Sequence, residues 1–131
     1  MEKNNLNDKN ILSLSFDENG LLPAIVQEAE TLQILMMAYI NQEAFQETMQ
    51  SGFATFWSRS RQELWKKGET SGNRMQIVEV RVDCDQDCVI YLVTRTQGGA
   101  CHTKNVSGQY RKSCFYRKVN ADDTKLLLLE D

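Results

Sequence analysis

The stretch MQIVEVRVDCDQDCVIYLVT, residues 75–94, decides the fold more than any other part of the chain. In its first part, Val80 and Val82 alternate with Glu79 and Arg81. This period of two is typical of a half-buried strand. The apolar, β-branched run at residues 88–94 then reads as a second strand, reached through a short acidic turn. We therefore predict a β-hairpin here.

Further strands are predicted on both sides of this hairpin. After Pro23, residues 24–29 and the apolar run at 31–40 read as two strands joined by a turn at Glu30-Thr31. Short strands are also predicted at residues 53–58 and 114–116, and a terminal apolar patch at 126–129 needs a surface to pack on. Residues 59–74 are polar and contain several glycines, which indicates a long functional loop.

One helix is indicated, from an N-cap at Asn41 to about Gln50. The Asn side chain can accept a hydrogen bond from the first turn, and Gly52 lies where a left-handed cap falls. One face of this helix is expected to belong to the core, and it consists of Ala44, Phe45, Thr48 and Met49.

These elements predict one α+β domain rich in antiparallel strands, with one or two helices. The chain has 131 residues, of which 41% are hydrophobic and 25% charged, as in a single globular domain. We expect a polar N-terminal extension at 1–12, the domain at 13–120 and a tail at 121–131. The polar start is unlike a secretory signal and no apolar run approaches about 20 residues, so a cytoplasmic location is expected.

The charge distribution favours a small anionic ligand. The net charge is −3, which argues against general nucleic-acid binding. Two segments are nevertheless basic, at residues 57–74 and 101–118. These two basic segments suit a bound phosphate group. The alternative is that both are simply solvent-exposed faces of the protein.

The acidic turn DCDQD, residues 83–87, is the densest chemical signal. If the strand continued through it, Asp83, Asp85 and Asp87 would project to one side and Cys84 to the other. Carboxylates suit Mg²⁺, and a thiolate suits Zn²⁺. An EF-hand is excluded, because Cys88 and Thr94 stand where that loop needs Gly and Glu. A solvent-exposed acidic turn is the plain alternative.

The cysteines favour a metal site over disulfides in a cytoplasmic protein. Cys84, Cys101 and Cys114 could supply three thiolates and leave a fourth position for water, as in catalytic zinc sites. His102, the only histidine, could be a fourth ligand or a general acid/base. Cys88 begins an apolar strand and is assigned to the core. Inert buried thiols are the alternative.

The segment SRSRQELWKKGETSGN, residues 58–73, combines arginines, glycines and a tryptophan. Arginines pair with phosphate oxygens, glycines let backbone amides approach an anion, and Trp65 could stack on a purine. No established phosphate-loop pattern is present.

Several segments together resemble the phosphoribosyl-AMP cyclohydrolase family of histidine biosynthesis. The matching strings are LMMAYIN at 35–41, EAF at 43–45, SRSRQELWKKGETSGN at 58–73, DCDQD at 83–87, ACHT at 100–103 and SCFY at 113–116.

This resemblance implies hydrolysis of the N1–C6 bond of 1-(5-phosphoribosyl)-AMP by a zinc-activated water. It implies an intertwined homodimer, with one Zn²⁺ per subunit held by Cys84, Cys101 and Cys114 and shared between subunits, and Mg²⁺ held by Asp83, Asp85 and Asp87. His102 would move a proton. The substrate-binding residues would be Arg59, Ser60, Arg61, Trp65, Lys67, Gly68, Glu69, Ser71, Gly72 and Asn73.

One departure from the family pattern lies between the second and third cysteines. Twelve residues separate Cys101 from Cys114, where the family usually has six, and Lys104 stands at a usual glycine. Two alternatives follow: a zinc hydrolase for another purine nucleotide, or a non-catalytic zinc protein. The deaminase signature is absent, since the only proline is Pro23.

Overall fold

The computed structural model describes residues 10–68, 72–95, 98–122 and 124–129. The elements in these residues are eight strands and one helix. In chain order they are β1 (Leu22–Glu28), β2 (Ile34–Ile40), α1 (Gln42–Ser51), β3 (Thr55–Ser58), β4 (Glu63–Lys66), β5 (Met75–Val82), β6 (Val89–Arg95), β7 (Arg117–Val119) and β8 (Leu126–Leu128). In this part of the chain no helix is long and apolar enough to cross a membrane.

The main sheet has four strands in the order β2-β1-β6-β5. The hairpin predicted at residues 75–94 is confirmed as β5–β6, and the one predicted around Glu30-Thr31 as β1–β2. The two hairpins join through a parallel pairing of β1 with β6, in which Ala24 faces Val89. The α+β class and the predominance of antiparallel strands are thus confirmed, with one parallel pair at the centre.

The helix α1 packs beside this sheet and closes the core. Asn41 caps it as predicted, since its Oδ1 accepts a hydrogen bond from the Ala44 amide at 2.8 Å, and Gly52 ends it in the left-handed region. Ala44, Phe45 and Thr48 are buried. The prediction for Met49 was wrong, because its side chain is 55% exposed at the edge of the helix face.

Residues 59–74 are not the single long loop that the composition indicated. They contain β4, which pairs antiparallel with β3 so that Phe56 faces Trp65. Trp65 packs on Phe56 with ring centroids 4.9 Å apart. The sequence hid this strand because it has only four residues and its two apolar residues, Leu64 and Trp65, are neighbours, so no alternating pattern marks it. Both side chains are partly buried and pack against the core.

The C-terminal region corrects a second prediction. Residues 114–116 are not a strand; the strand begins one residue later, as β7, and pairs with β8. The apolar side chains of β8 are all about half exposed, at 43–54%. The terminal apolar patch therefore has a backbone partner, while its side chains lie at the surface.

Candidate active site

The acidic turn at residues 83–87 is stabilised by the side chain of its first residue, Asp83. β5 ends at Val82, and the Asp83 carboxylate accepts hydrogen bonds from the amides of Asp87 and Cys88 at 3.0 and 3.2 Å. The expectation that the strand continued was therefore wrong. The carboxylates of Asp83, Asp85 and Asp87 nevertheless converge, with ligand oxygens within 4.8 Å of one another. Turn geometry, and not strand alternation, brings them together.

This convergence changes the acidity of Asp87. Hydrogen bonding to Asp83 and Asp85 raises the pKa of the Asp87 carboxyl to about 6, because the three groups share protons and repel as anions. A bound cation relieves such repulsion. The three carboxylates could therefore hold a metal ion.

Cys101 and Cys114 meet through two antiparallel chain segments. The amides of Ala100 and Cys101 donate to the carbonyls of Lys112 and Arg111, each at 3.0 Å. The Cys114 amide donates to the Leu35 carbonyl at 2.7 Å, which fixes the second segment to β2. The backbone thus places both cysteines before any metal is considered.

The two thiols interact with each other and with the chain around them. Burial raises the pKa of the Cys101 thiol, but hydrogen bonds from Thr103, at 2.8 Å from its hydroxyl, and from Cys114 lower it overall. Burial and the neighbouring Cys101 raise the pKa of Cys114 to about 11. Lys67 lies close enough to lower the Cys114 pKa, and burial lowers its own. Two thiols beside a cation suit a thiolate-binding metal.

Cys84 does not join this pair within one chain. Its side chain is exposed and lines a cavity of about 420 Å³ with apolar residues of α1 and β5. Within the described residues, the only potential ligand group of three or more is the aspartate cluster. His102 is exposed beside Cys101. Cys88 is half-buried in the turn just before β6, so its assignment to the core was wrong.

Part of the predicted substrate segment lines a groove of about 610 Å³. Arg59, Ser60 and Trp65 lie on its wall, and the Arg59 guanidinium lies 4.1 Å from the centre of the Tyr39 ring. This volume is in the range of small-molecule sites. Arg61 lies outside the lining, where its backbone amide donates to the Ser58 hydroxyl at 3.2 Å.

The remaining described residues of the predicted substrate segment lie outside the lining of this groove, and one of them, Lys67, lies beside the Cys114 thiol. Gly68 and Gly72 both have positive φ, and a side chain on Gly68 would come within 2.2 Å of the Arg74 nitrogen. The buried Asn73 lies against Gly98, whose added Cβ would be 2.3 Å from the Asn73 oxygen. Predicted residues Glu69 and Ser71 lie outside the described residues.

A family model described as phosphoribosyl-AMP cyclohydrolase matches residues 36–116, which is more than half of the chain and contains every predicted site residue. The chain belongs to the phosphoribosyl-AMP cyclohydrolase family. It is therefore an enzyme of the cyclohydrolase class.

Curated relatives of that name cover most of the chain. One from Archaeoglobus fulgidus is 51% identical over 114 residues, which is 87% of this chain and 99% of the relative. One from Hyphomonas neptunium is 56% identical over 104 residues, 79% of this chain and 74% of the relative. One from Paracoccus denitrificans is 51% identical over 107 residues, 82% and 83% of the two chains.

Several residues near the cyclohydrolase site were missed from the sequence. Tyr39 and Trp57 line the groove, and Thr103 contacts the Cys101 thiol. Thr103 carried a local signal, since it follows Cys101 by two residues. Tyr39 lay within the matching string LMMAYIN, but no local pattern showed that β2 packs against β3 and so brings Tyr39 beside Arg59.

Proposed function

We propose that this enzyme opens the adenine ring of 1-(5-phosphoribosyl)-AMP by hydrolysis of the N1–C6 bond. The product would be the phosphoribosylformimino-aminoimidazole carboxamide ribotide, in a step of histidine biosynthesis. The observation that carries the proposal is the pair of thiols at Cys101 and Cys114 beside Lys67. This pair lies within the family-matched part of the chain, where a thiolate-binding metal suits water activation.

The proposal assigns one Zn²⁺ per subunit to Cys84, Cys101 and Cys114. The adjacent pair supports this assignment, because two thiols already in contact need little rearrangement to bind one ion. Cys84 is exposed and lines a cavity at a different surface, where a second copy of the chain could reach it. We therefore propose an intertwined homodimer in which Cys84 of one subunit completes the pair of the other.

Zinc, when bound, would supply the Lewis acidity that makes water a nucleophile near neutral pH. The chain's own residues would do the rest. His102, exposed beside Cys101, is suited to move a proton to the departing ring nitrogen. Arg59, Ser60 and Trp65 would hold the nucleotide in the groove. Lys67 would hold negative charge near the thiols.

Two further assignments belong to the proposal. Asp83, Asp85 and Asp87 would hold Mg²⁺, since three converging carboxylates match a hard cation. A cytoplasmic location fits four cysteines that form no disulfide with one another, because thiols stay reduced in that compartment.

The direct test measures bound zinc and ring opening in Cys101→Ala and Cys114→Ala. Each variant should lose both zinc and turnover, the latter followed by the ultraviolet change of ring opening. The matched control is Cys88→Ala, which removes a half-buried thiol outside the proposed ligand set and should keep both. Full turnover in a metal-free preparation would show the proposal to be wrong.

A further inference from the structure

A second groove, of about 530 Å³, lies near the segments that carry the thiol pair and is lined by three cations, three glycines, Gln109 and Tyr110. Its cations are Arg95, Lys104 and Lys112. None of the described residues that line it is acidic. The groove is therefore more basic than the groove at Trp65, where Arg59 is the one cation among the described lining residues, and the proposed function gives it no role.

The cations of this groove come from two different parts of the fold. Arg95 ends β6, and Lys112 lies on the segment that leads to Cys114. Both bind the buried Glu28 carboxylate, Arg95 at 3.0 Å and Lys112 at 2.7 Å. Glu28 thus fixes their positions while cancelling only one of their two charges.

Lys104 is brought in by the extra residues between Cys101 and Cys114. These residues fold as a short arm, defined as residues 103–111. The two halves of the arm pair through backbone hydrogen bonds. The Arg111 amide donates to the Thr103 carbonyl at 3.0 Å, and the Asn105 amide donates to the Gln109 carbonyl at 2.8 Å. The Asn105 side chain closes the tip by accepting from the amides of Ser107 and Gln109. Lys104 is therefore held on a folded hairpin.

The charge and donors of the groove match a phosphate monoester. Three cations against Glu28 leave about two positive charges, the charge that balances a phosphate dianion near neutral pH. Gly98 and Gly99 lie at the wall, and their amides have no hydrogen-bond acceptor within the described part of the chain. Backbone amides with free N–H groups are common phosphate donors.

The groove is also within reach of the thiol pair. Gly99 precedes Cys101 by two residues, and Lys112 precedes Cys114 by two. Two residues of extended chain span at most about 7 Å. A phosphate on the ribose attached to N1 lies on the order of 7–8 Å from C6, given bonds of about 1.5 Å. One substrate could therefore place C6 at the thiols and this phosphate in the groove.

We propose that Arg95, Lys104 and Lys112 form a subsite for the phosphate of the N1-linked ribose, with the arm supplying Lys104. This inference rests on the proposed function for the identity of the nucleotide. The arm then serves substrate binding and is not a passive insertion.

The test compares steady-state kinetics of zinc-loaded wild type, Lys104→Ala, Lys104→Arg and Lys118→Ala on 1-(5-phosphoribosyl)-AMP. Loss of one charge-assisted hydrogen bond should raise KM about tenfold in Lys104→Ala, with kcat changed less than about twofold. Lys104→Arg should restore most of the loss. Lys118 is exposed on β7 and does not line the groove, so Lys118→Ala is the matched control and should leave KM unchanged.

A binding experiment without turnover separates this inference from the proposed function. Titration calorimetry with ribose 5-phosphate needs no turnover, and Lys104→Ala should weaken its binding about as much as it raises KM, while ribose itself should not bind. If wild type fails to open the ring but binds ribose 5-phosphate through Lys104, the proposed function fails and the phosphate subsite stands. If Lys104→Ala changes neither KM nor this binding, or wild type does not bind ribose 5-phosphate, the subsite is wrong.

Discussion

Glu28 is the residue on which the placement of the thiol-bearing segments depends. Its side chain is only 12% exposed, and its carboxylate accepts from Lys112 at 2.7 Å, Arg95 at 3.0 Å and the Thr31 hydroxyl at 2.7 Å. Burial alone would raise the pKa of this carboxyl, but the hydrogen bonds outweigh it and lower the pKa to about 2. One buried anion thus ties the end of β1 to β6 and to the segment before Cys114.

This shift predicts how acid affects the fold. The folded pKa of about 2 lies below the ordinary value of 4.5, so the contribution is present above that value and is lost as pH falls through about 2. Glu28→Gln should lower the free energy of unfolding by about 3 kcal/mol at pH 7. Between pH 7 and pH 3, the free energy of unfolding of this variant should fall less than that of wild type. Urea unfolding at both pH values measures this.

The control for Glu28 is Glu30→Gln, in the exposed turn between β1 and β2. Because a solvent-exposed carboxylate contributes little, this variant should unfold within about 0.5 kcal/mol of wild type. Equal effects of the two substitutions would contradict the role assigned to the buried ion pairs.

At the scale of elements, the thiol pair depends on the close approach of two segments. Gly99 permits this approach, because a Cβ there would lie 2.1 Å from the Arg111 carbonyl oxygen. Any side chain must push apart the segments that carry Cys101 and Cys114. Backbone geometry is therefore a condition for the proposed zinc site.

Gly99→Ala should consequently weaken zinc binding by at least about tenfold, since ligands displaced by a fraction of an ångström bind a tetrahedral ion poorly. Competition with a chelator of known affinity measures the change. The control is Gly108→Ala, at the open tip of the arm with φ +80 and nothing within 4 Å of an added Cβ. It should cost about 1 kcal/mol of stability and leave zinc affinity unchanged. Wild-type zinc affinity in Gly99→Ala would contradict this account.

The elements show which parts of the fold local sequence can predict. Period-two alternation and turn residues correctly gave both hairpins of the main sheet, and capping residues gave α1. β4 and the true start of β7 were missed because each strand has only three or four residues, too few to show an alternating pattern. In such strands, pairing with a neighbour decides the structure, and the sequence pattern does not record the neighbour.

The candidate site also combines features that local sequence can predict with features that it cannot. The convergence of Asp83, Asp85 and Asp87 was predicted for the wrong reason, because a turn and not a strand carries them. The meeting of Cys101 with Cys114 follows from pairing between distant segments and from hydrogen bonds to β2, which no local pattern shows. Cysteine chemistry and the resemblance to the family both grouped these residues as metal ligands, but neither showed how the chain brings Cys101 and Cys114 together.

At the scale of the whole molecule, Cys84 lies in an apolar surface. Its cavity is lined by Ile11, Leu12, Met49 and Val82, which are 42–61% exposed. A contiguous apolar patch of this kind is typical of a protein–protein contact. In the proposed homodimer this surface would be covered by the second subunit, and Cys84 would meet the other chain's Cys101 and Cys114.

Complementation between two inactive variants tests this shared site most directly. Cys84→Ala and Cys101→Ala should each lack zinc and turnover. In a heterodimer purified through two different tags, one site would combine intact Cys84 with intact Cys101 and Cys114, and the other would lack both mutated ligands. The account predicts about one zinc per heterodimer and about half of wild-type turnover. A heterodimer with neither zinc nor activity would contradict it.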